Sequence, residues 1–194
     1  MARTKSEAKR KAILDAAESA FVKREYDEVL TDEIASLAGV RKGTIYRHFP
    51  TKEELYSAVL LRGFDELEAA VAGIAAEPSG ARERLARLCR EMLRAFWTRS
   101  TLFHTVQGLG RSAGRARREL RARRNRFHAL LEETLRSGLE SGELRPHDPH
   151  LAAQFLIGML RSAVVFRRPG DQVDGLAQEI LAVFLRGVGA KEAP

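Results

Sequence analysis

Residues 41–49 combine cationic and hydrogen-bonding side chains with one apolar anchor, Ile45, at a spacing typical of a short helix. Such groups donate hydrogen bonds to phosphate oxygens and to base edges in the grooves of DNA. The side chains that can do so are Arg41, Lys42, Thr44, Tyr46, Arg47 and His48. A solvated helix that is merely basic is the alternative, and these residue types alone do not decide between the two.

The element before this helix favours DNA binding. A helix over residues 32–38 is joined to it through Gly39, with Ala35 four residues earlier. A tight helix-turn-helix needs a small residue where the helices cross and a glycine that tolerates a positive φ at the turn. Val40 and Ile45 supply apolar anchors on the far side. The spacing therefore predicts a helix-turn-helix over residues 31–49.

The full sequence pattern closely resembles the DNA-binding signature of the tetracycline-repressor (TetR) family of transcriptional regulators. The matching residues are Ile34-Ala35-x-x-Ala38-Gly39-Val40-x-x-Gly43-Thr44-Ile45-Tyr46-x-His48-Phe49-x-x-Lys52-Glu53-x-Leu55, preceded by Ile13-Leu14-x-Ala16-Ala17-x-x-x-Phe21. The resemblance is detailed over residues 10–60. Beyond residue 60 it is limited to a helical tail of suitable length and to the segment at residues 141–146.

The resemblance implies roles for particular residues. Lys52, near the start of the fourth helix, would hold a phosphate beside the amides of that helix. Arg47 stands at a position that varies within the family, and bidentate contact with guanine is a hypothesis for it. The DNA-contacting set implied is Thr31, Arg41, Lys42, Gly43, Thr44, Tyr46, Arg47, His48 and Lys52.

Three positions depart from the family pattern. Leu30 stands where a small hydroxyl residue is usual, so we expect the second helix to be capped poorly or by Thr31. Arg41 replaces a usual Ser or Thr, and the loss of that N-cap costs about 1 kcal/mol. Glu25 replaces the usual glycine before Tyr26, which affects the first loop. None of these changes removes a predicted groove contact.

Apolar residues three and four apart predict an all-α chain with about nine helices. Thr51 with Glu54 forms a capping box, and Asp148-Pro149 supplies a cap and a first-turn proline. We expect an N-terminal DNA-binding domain over residues 1–50, and a ligand-binding and dimerisation domain over 51–194 that begins with a connecting helix, 51–76. The helices are expected at 6–24, 32–38, 42–49, 51–76, 81–98, around 103–106, and at 115–140, 148–166 and 172–188.

The last two helices predict a dimer. The helix over 148–166 is apolar most of the way round, which is too much for one packing face. Two such helices per chain suit a symmetric four-helix interface, and the resemblance implies the same pair. A plain monomer core is the alternative. The predicted interface consists of Phe155, Leu156, Met159, Leu160, Val164, Leu176, Ile180, Leu181 and Phe184.

A ligand pocket is expected between the helices of the C-terminal domain. Its candidate residues are Met92, Phe96, Trp97, Phe103, His104, Gln107, Phe127, Leu131, Phe155 and Met159. An aromatic stripe at helical spacing is more often core than cavity, so ordinary packing is the competing interpretation.

The chain of 194 residues carries a net charge of +7, and residues 111–126 account for all of it with eight arginines against Glu119. A solvated face is the first interpretation. The others are an anion site for a phosphate-bearing ligand, such as an acyl-coenzyme A thioester, and an auxiliary contact with nucleic acid.

Other motifs predict little. Cys89 is the one cysteine, which excludes an internal disulfide and a multi-cysteine metal site. No apolar run suits a membrane span or a secretory signal, so we expect a soluble cytoplasmic protein. The segment His147-Asp148-Pro149-His150 has metal-binding residue types, but helix capping explains Asp148 and Pro149. No catalytic set, cofactor motif or dedicated metal site is evident, and an enzyme is not expected.

These observations favour a homodimeric repressor that binds a pseudo-palindromic operator in double-stranded DNA. A hydrophobic or amphipathic small molecule, with an anionic group if the arginines bind it, would release the protein by favouring a pose with separated recognition helices. The alternative is an all-helical dimeric adaptor that binds acidic protein or membrane partners through basic surfaces.

Overall fold

The computed structural model describes residues 2–100 and 114–188, and every regular element within those ranges is helical, as the sequence predicts. The predicted helix around residues 103–106 lies outside the described residues. A single 3-10 turn, Tyr26–Glu28, follows the first helix. The α-helices are α1 (Ala2–Phe21), α2 (Thr31–Leu37), α3 (Lys42–His48), α4 (Lys52–Ala75), α5 (Ala81–Thr98), α6 (Gly114–Glu140), α7 (Pro149–Val165) and α8 (Val173–Val188).

The first of two compact units contains the residues up to Phe64 and the described part of Arg99–Arg121. Its core gathers apolar side chains from α1, α2, α3 and the first half of α4. Phe21 and Tyr56 pack edge to face with ring centroids 4.9 Å apart, and Tyr26 packs on Tyr56 at 5.0 Å. The two short helices, α2 and α3, pack on this core, which holds them in place.

The turn between α2 and α3 ends α2 in a Schellman motif. Gly39 has a φ of +63°, its amide donates to the Ser36 carbonyl at 3.1 Å, and the Val40 amide donates to the Ala35 carbonyl at 3.0 Å. A left-handed residue at this position lets both bonds form, which is why glycine is favoured there. The predicted glycine turn is confirmed.

The departures from the family pattern at Leu30 and Arg41 both affect how a helix begins. α2 begins at Thr31, so Thr31 does not cap it, and the Glu33 carboxylate instead accepts a bond from the Leu30 amide at 3.2 Å. No side chain caps α3 at Arg41, as the loss of Ser or Thr predicts. Glu25 takes an extended conformation ahead of the 3-10 turn.

The second compact unit contains Asp65–Thr98 and the residues from Ala122 onward. α5 lies at its centre, with fully buried Leu85, Leu88 and Met92. The predicted cap of α7 is confirmed, because the Asp148 carboxylate accepts from the amides of His150 and Leu151. No helix among the described residues is long and apolar enough to cross a membrane.

The α5 N-terminus is capped from a distant part of the chain. The two carboxylate oxygens of Glu143 accept from the amides of Ala81 at 2.9 Å and Arg82 at 3.1 Å. The backbone hydrogen bonds to Ala81 and then Arg82 hold the pKa of Glu143 below its ordinary value of 4.5. This contact ties the segment after α6 to the start of α5.

The predicted dimer-interface residues of α7 and α8 differ in how deeply they are buried. Side chains of Met159, Leu176 and Leu181 are half-buried, while Phe155 is 61% exposed. Five others are mostly or fully buried within the subunit: Leu156, Leu160, Val164, Ile180 and Phe184. The exposed apolar side chains on these helices and just after α7 are Leu151, Phe155, Val165, Phe166 and Val183. An all-round apolar pattern cannot show which side a helix turns inward.

Candidate nucleic-acid interface

Helix α3 buries one face and presents the other. Ile45 is 1% exposed, and Phe49 at the end of the helix is buried in the core of the first unit. Four of the predicted DNA-contacting side chains are exposed: Arg41, Lys42, Tyr46 and Arg47. A seven-residue helix is anchored by this packing rather than by its own propensity, because isolated short helices are unstable in water.

Thr31 and Tyr46 lie next to each other across the two short helices. The Tyr46 hydroxyl donates to the Thr31 hydroxyl oxygen over 3.4 Å, a long and weak bond. Thr31 is itself buried, so it offers DNA little of its own surface. Its hydroxyl lies against that of Tyr46 instead.

Lys42 is held on the surface by an acidic residue of α2. Its Nζ atom lies 2.8 Å from a carboxylate oxygen of Asp32, and both side chains are largely exposed. The hydrogen bond to Asp32 raises the pKa of Lys42 above its ordinary value of 10.5. An exposed pair of this kind is worth only about 0.2–1 kcal/mol, so a phosphate can compete for the lysine.

Lys52 is the first residue of α4, and its ammonium group lies over the Tyr26 ring, 4.3 Å from the centroid. Burial lowers the pKa of Lys52 from its ordinary value of 10.5. The Thr51 hydroxyl accepts from the Glu54 amide at 3.1 Å and confirms the predicted cap. The cation therefore stands at the N-terminus of a helix, an arrangement suited to a phosphate.

The remaining α3 residues differ in accessibility. Gly43 is exposed and has open space where a side chain would begin, while Thr44 is half-buried. His48 is also half-buried, and its Nε2 atom is buried with no hydrogen-bond partner among the described residues. Thr44 and His48 are thus less accessible than Tyr46 and Arg47 on the same helix.

The predicted ligand-pocket residues fall into three groups. Met92, Phe96, Phe127 and Leu131 are buried in the second unit. Trp97 and Met159 are half-buried, Phe155 is exposed, and the Arg167 guanidinium lies 5.0 Å from the Trp97 ring centroid. The other three predicted residues, Phe103, His104 and Gln107, lie outside the described residues.

Several arginines of segment 111–126 are engaged in ion pairs. Arg123 pairs with Asp65 and Arg126 with Glu68, each through two nitrogens of the guanidinium group. Arg115 pairs with Glu119 one turn along α6. Part of the positive charge is therefore offset by acidic residues of α4 and α6, while Arg118, Arg121 and Arg124 are exposed.

A groove of about 580 Å³ lies between α6 and α7 in the second unit. Burial and then the neighbouring His150 lower the pKa of His128 below its ordinary value of 6.5. Sequence reasoning did not predict this groove, although the His128–Glu132 spacing places both residues on one helix face. Its polar lining residues are Arg124, Asn125, His128, Glu132, His150, Gln154 and Arg161.

The fold and the exposed cationic α3 define a helix-turn-helix regulator of transcription. Residues 13–59 match the family model described as bacterial regulatory proteins, tetR family, and residues 78–188 match the tetracyclin repressor-like C-terminal domain. The chain belongs to the TetR family of DNA-binding transcriptional regulators. The resemblance seen over residues 10–60 is thus confirmed and extends over most of the chain.

Relatives of similar length support the same assignment. The HTH-type transcriptional regulator YhgD of Bacillus subtilis is 30% identical over 81% of this chain and 83% of its own. The HTH-type transcriptional repressor KstR2 of Mycobacterium tuberculosis is 29% identical over 93% of this chain and 92% of its own. Its solved structure, described as a ketosteroid transcriptional regulator, has a TM-score of 0.75, 25% identity and coverage of 94% and 95%. A TetR/AcrR-family regulator from Thermobifida fusca reaches a TM-score of 0.79, with 26% identity and coverage of 92% and 97%.

Proposed function

We propose that the protein is a cytoplasmic homodimeric repressor that binds a pseudo-palindromic operator and leaves it when a small molecule binds the C-terminal domain. The domains would be residues 1–50 for DNA binding and 51–194 for dimerisation and ligand binding, joined through α4. The observation that carries the proposal is the position of α3: Ile45 is buried while Arg41, Tyr46 and Arg47 stand exposed around it.

The predicted contacts with DNA divide into positioning and reading. Lys42 and Lys52 would bind phosphates, which fixes the orientation of α3 without selecting sequence. Tyr46 and Arg47 would reach base edges, and an arginine bidentate to guanine discriminates by about 1–3 kcal/mol. Thr31 would act through Tyr46, and the absence of a side chain at Gly43 would let the backbone approach closely.

The exposed apolar side chains of the second unit support a dimer. Phe166 is 79% exposed and Phe155 61%, and Val183 is also exposed on α8. Such residues are costly to leave in water when they lie together. We propose that they meet their copies in a symmetric interface built from α7 and α8 of each subunit, which would give the two readers that paired half-sites need.

The effector we propose is a hydrophobic or amphipathic small molecule. The apolar lining would come from α5 and α6, where Met92, Phe96, Phe127 and Leu131 are buried together in one unit. The relative described as a ketosteroid regulator is consistent with a hydrophobic effector. Release requires that the effector bind one pose of the dimer better than the other, since equal affinity shifts no equilibrium.

The DNA-binding proposal is tested by selecting genomic fragments with the purified protein and measuring affinity for a selected duplex and for random duplexes of equal length. We expect Tyr46→Ala and Lys52→Ala each to weaken specific binding at least tenfold. Arg168→Ala is the matched control, because Arg168 is exposed in the second unit and its loss removes the same charge as loss of Lys52.

Equal affinity for selected and random DNA, unchanged in both variants, would refute the regulator proposal and favour an adaptor that binds acidic partners. The dimer is tested separately by sedimentation of Phe155→Glu and Phe166→Glu, which we expect to be monomeric at micromolar concentration. A monomeric wild-type protein would refute the dimer. The effector class is tested by release of the selected duplex with steroid and fatty-acyl compounds, and with anionic and neutral forms of each.

A further inference from the structure

The side chains of His128, Glu132 and His150 converge in the groove between α6 and α7. His128 and Glu132 are one turn apart on α6, and His150 lies in the first turn of α7. One ligand atom from each residue lies within 4.8 Å of the other two. The imidazole rings of the two histidines have centroids 4.7 Å apart.

We propose that this cluster, the His128–Glu132–His150 site, binds a divalent transition-metal ion and that Zn²⁺ is its preferred occupant. Two imidazole nitrogens and one carboxylate oxygen are a donor set that zinc uses, with a fourth position left for water or a ligand. Zinc bonds of about 2.0–2.2 Å in a tetrahedron place ligand atoms roughly 3.3 Å apart, so the largest contraction that any pair of ligand atoms needs is about 1.5 Å. Side-chain rotation can supply that distance.

The present partners of Glu132 leave one oxygen for a metal. Its Oε2 atom lies 3.1 Å from Nδ1 of His150 and 3.9 Å from Nδ1 of His128. Its Oε1 atom accepts from Arg136 at 2.8 Å. Arg136 would therefore remain as the outer partner of a ligating carboxylate, the kind of second contact that orients metal ligands.

Each histidine has a feature that suits ligation. The Nε2 atom of His128 is buried and has no hydrogen-bond partner among the described residues, and such an atom is costly unless something satisfies it. The Nε2 atom of His150 lies 2.8 Å from the Gln154 amide. With its oxygen turned toward this atom, that amide would accept the ring proton and leave Nδ1 of His150 free for a metal.

The charges around the groove act in both directions. Arg124 and Arg161 line it and weaken the binding of a cation. The same two charges favour an anion, such as a carboxylate, at the open fourth position of the bound metal. The site lies within the second unit and needs no residue of the recognition helix, α3. The proposal of a metal site is therefore independent of the proposal of DNA binding.

The test uses untagged, full-length protein stripped of metal with a chelator and then titrated with Zn²⁺ by calorimetry. We expect one Zn²⁺ per chain, and at least a tenfold loss of affinity in His128→Asn, Glu132→Gln and His150→Asn. His147→Asn is the matched control: it neighbours the site but lies outside the cluster, with its ring against the Arg145 carbonyl. The control is expected to bind as wild type does.

Substitution with Co²⁺ gives a second readout, because tetrahedral cobalt absorbs far more strongly than octahedral cobalt. A tetrahedral spectrum that disappears in His150→Asn supports the site. His150 is largely exposed, so we expect this variant to keep the fold. The proposal is overturned if Zn²⁺ does not bind, or if it binds equally well to the cluster variants. In either case the three residues form only a hydrogen-bonded cluster.

Discussion

Replacing Asp32 with Asn should strengthen operator binding. Lys42 is ion-paired with Asp32, so a DNA phosphate must compete with a carboxylate 2.8 Å away. Asn keeps the size of Asp but removes the charge. The free protein then loses the Lys42–Asp32 ion pair, which the DNA-bound protein does not make. Binding therefore no longer has to break that pair, and the binding free energy becomes more favourable.

The size of the effect follows from the exposure of the pair. Exposed ion pairs are worth about 0.2–1 kcal/mol, which corresponds to roughly 1.4- to 5-fold in affinity for each subunit. Two subunits on one operator give about 2- to 30-fold if the half-sites act independently. Removing the lysine itself, as in Lys42→Met, should reduce the slope of log K against log salt by about 0.9 for each phosphate that the variant no longer neutralises.

The assay is fluorescence anisotropy with a selected operator duplex at several salt concentrations. The double variant Asp32→Asn/Lys42→Met is expected to lack the gain, because the gain acts through the lysine. Asp174→Asn is the charge-matched control in the second unit, where Asp174 faces Arg90 and Arg94. Asp32 lies in the first turn of α2, where a negative charge stabilises the helix by about 0.3–1 kcal/mol, so thermal unfolding should be measured in parallel.

Weaker binding by Asp32→Asn, with the protein fully folded, would refute this reasoning and would mean that Asp32 positions Lys42 for DNA. A gain that persists in the double variant would equally contradict it, because the cause would then be the general removal of negative charge near DNA.

Three further predictions concern stability. Glu143→Gln should lower the free energy of unfolding by about 1 kcal/mol at pH 7. Because the pKa of Glu143 is depressed in the folded protein, the stability difference between wild type and variant should be complete above the ordinary pKa of 4.5 and should fade as pH falls through the folded pKa. Denaturant titrations across pH would measure this difference. Gly138→Ala places a Cβ 2.6 Å from the Leu144 side chain and should cost about 1–3 kcal/mol by urea unfolding, and an unchanged midpoint would contradict that packing. In Gly39→Ala the alanine must adopt a φ of +63°, and the resulting strain of about 1–2 kcal/mol should lower the melting temperature. A melting temperature equal to that of wild type would contradict this prediction.

Local signals in the sequence predict the helices well. Thr51 and Asp148 accept from amides within a turn of their own positions, so their effects can be read from neighbouring residues. Gly39 is similar, because the need for a positive φ is a property of one residue. Thr31 shows the limit: its hydroxyl contacts Tyr46 of the next helix, fifteen residues away in sequence, and no local pattern predicts that contact.

The sequence alone determined the all-helical class, the helix-turn-helix and the family, because these depend on short periodicities and on a contiguous set of residues. Only the tertiary structure decided which sides of α7 and α8 are buried, since Leu156 and Phe155 are adjacent and equally apolar yet lie inside and outside. It also joined Glu143 to the α5 N-terminus and His150 to His128. Contacts between residues distant in the chain depend on how whole helices pack, and no local pattern encodes that packing.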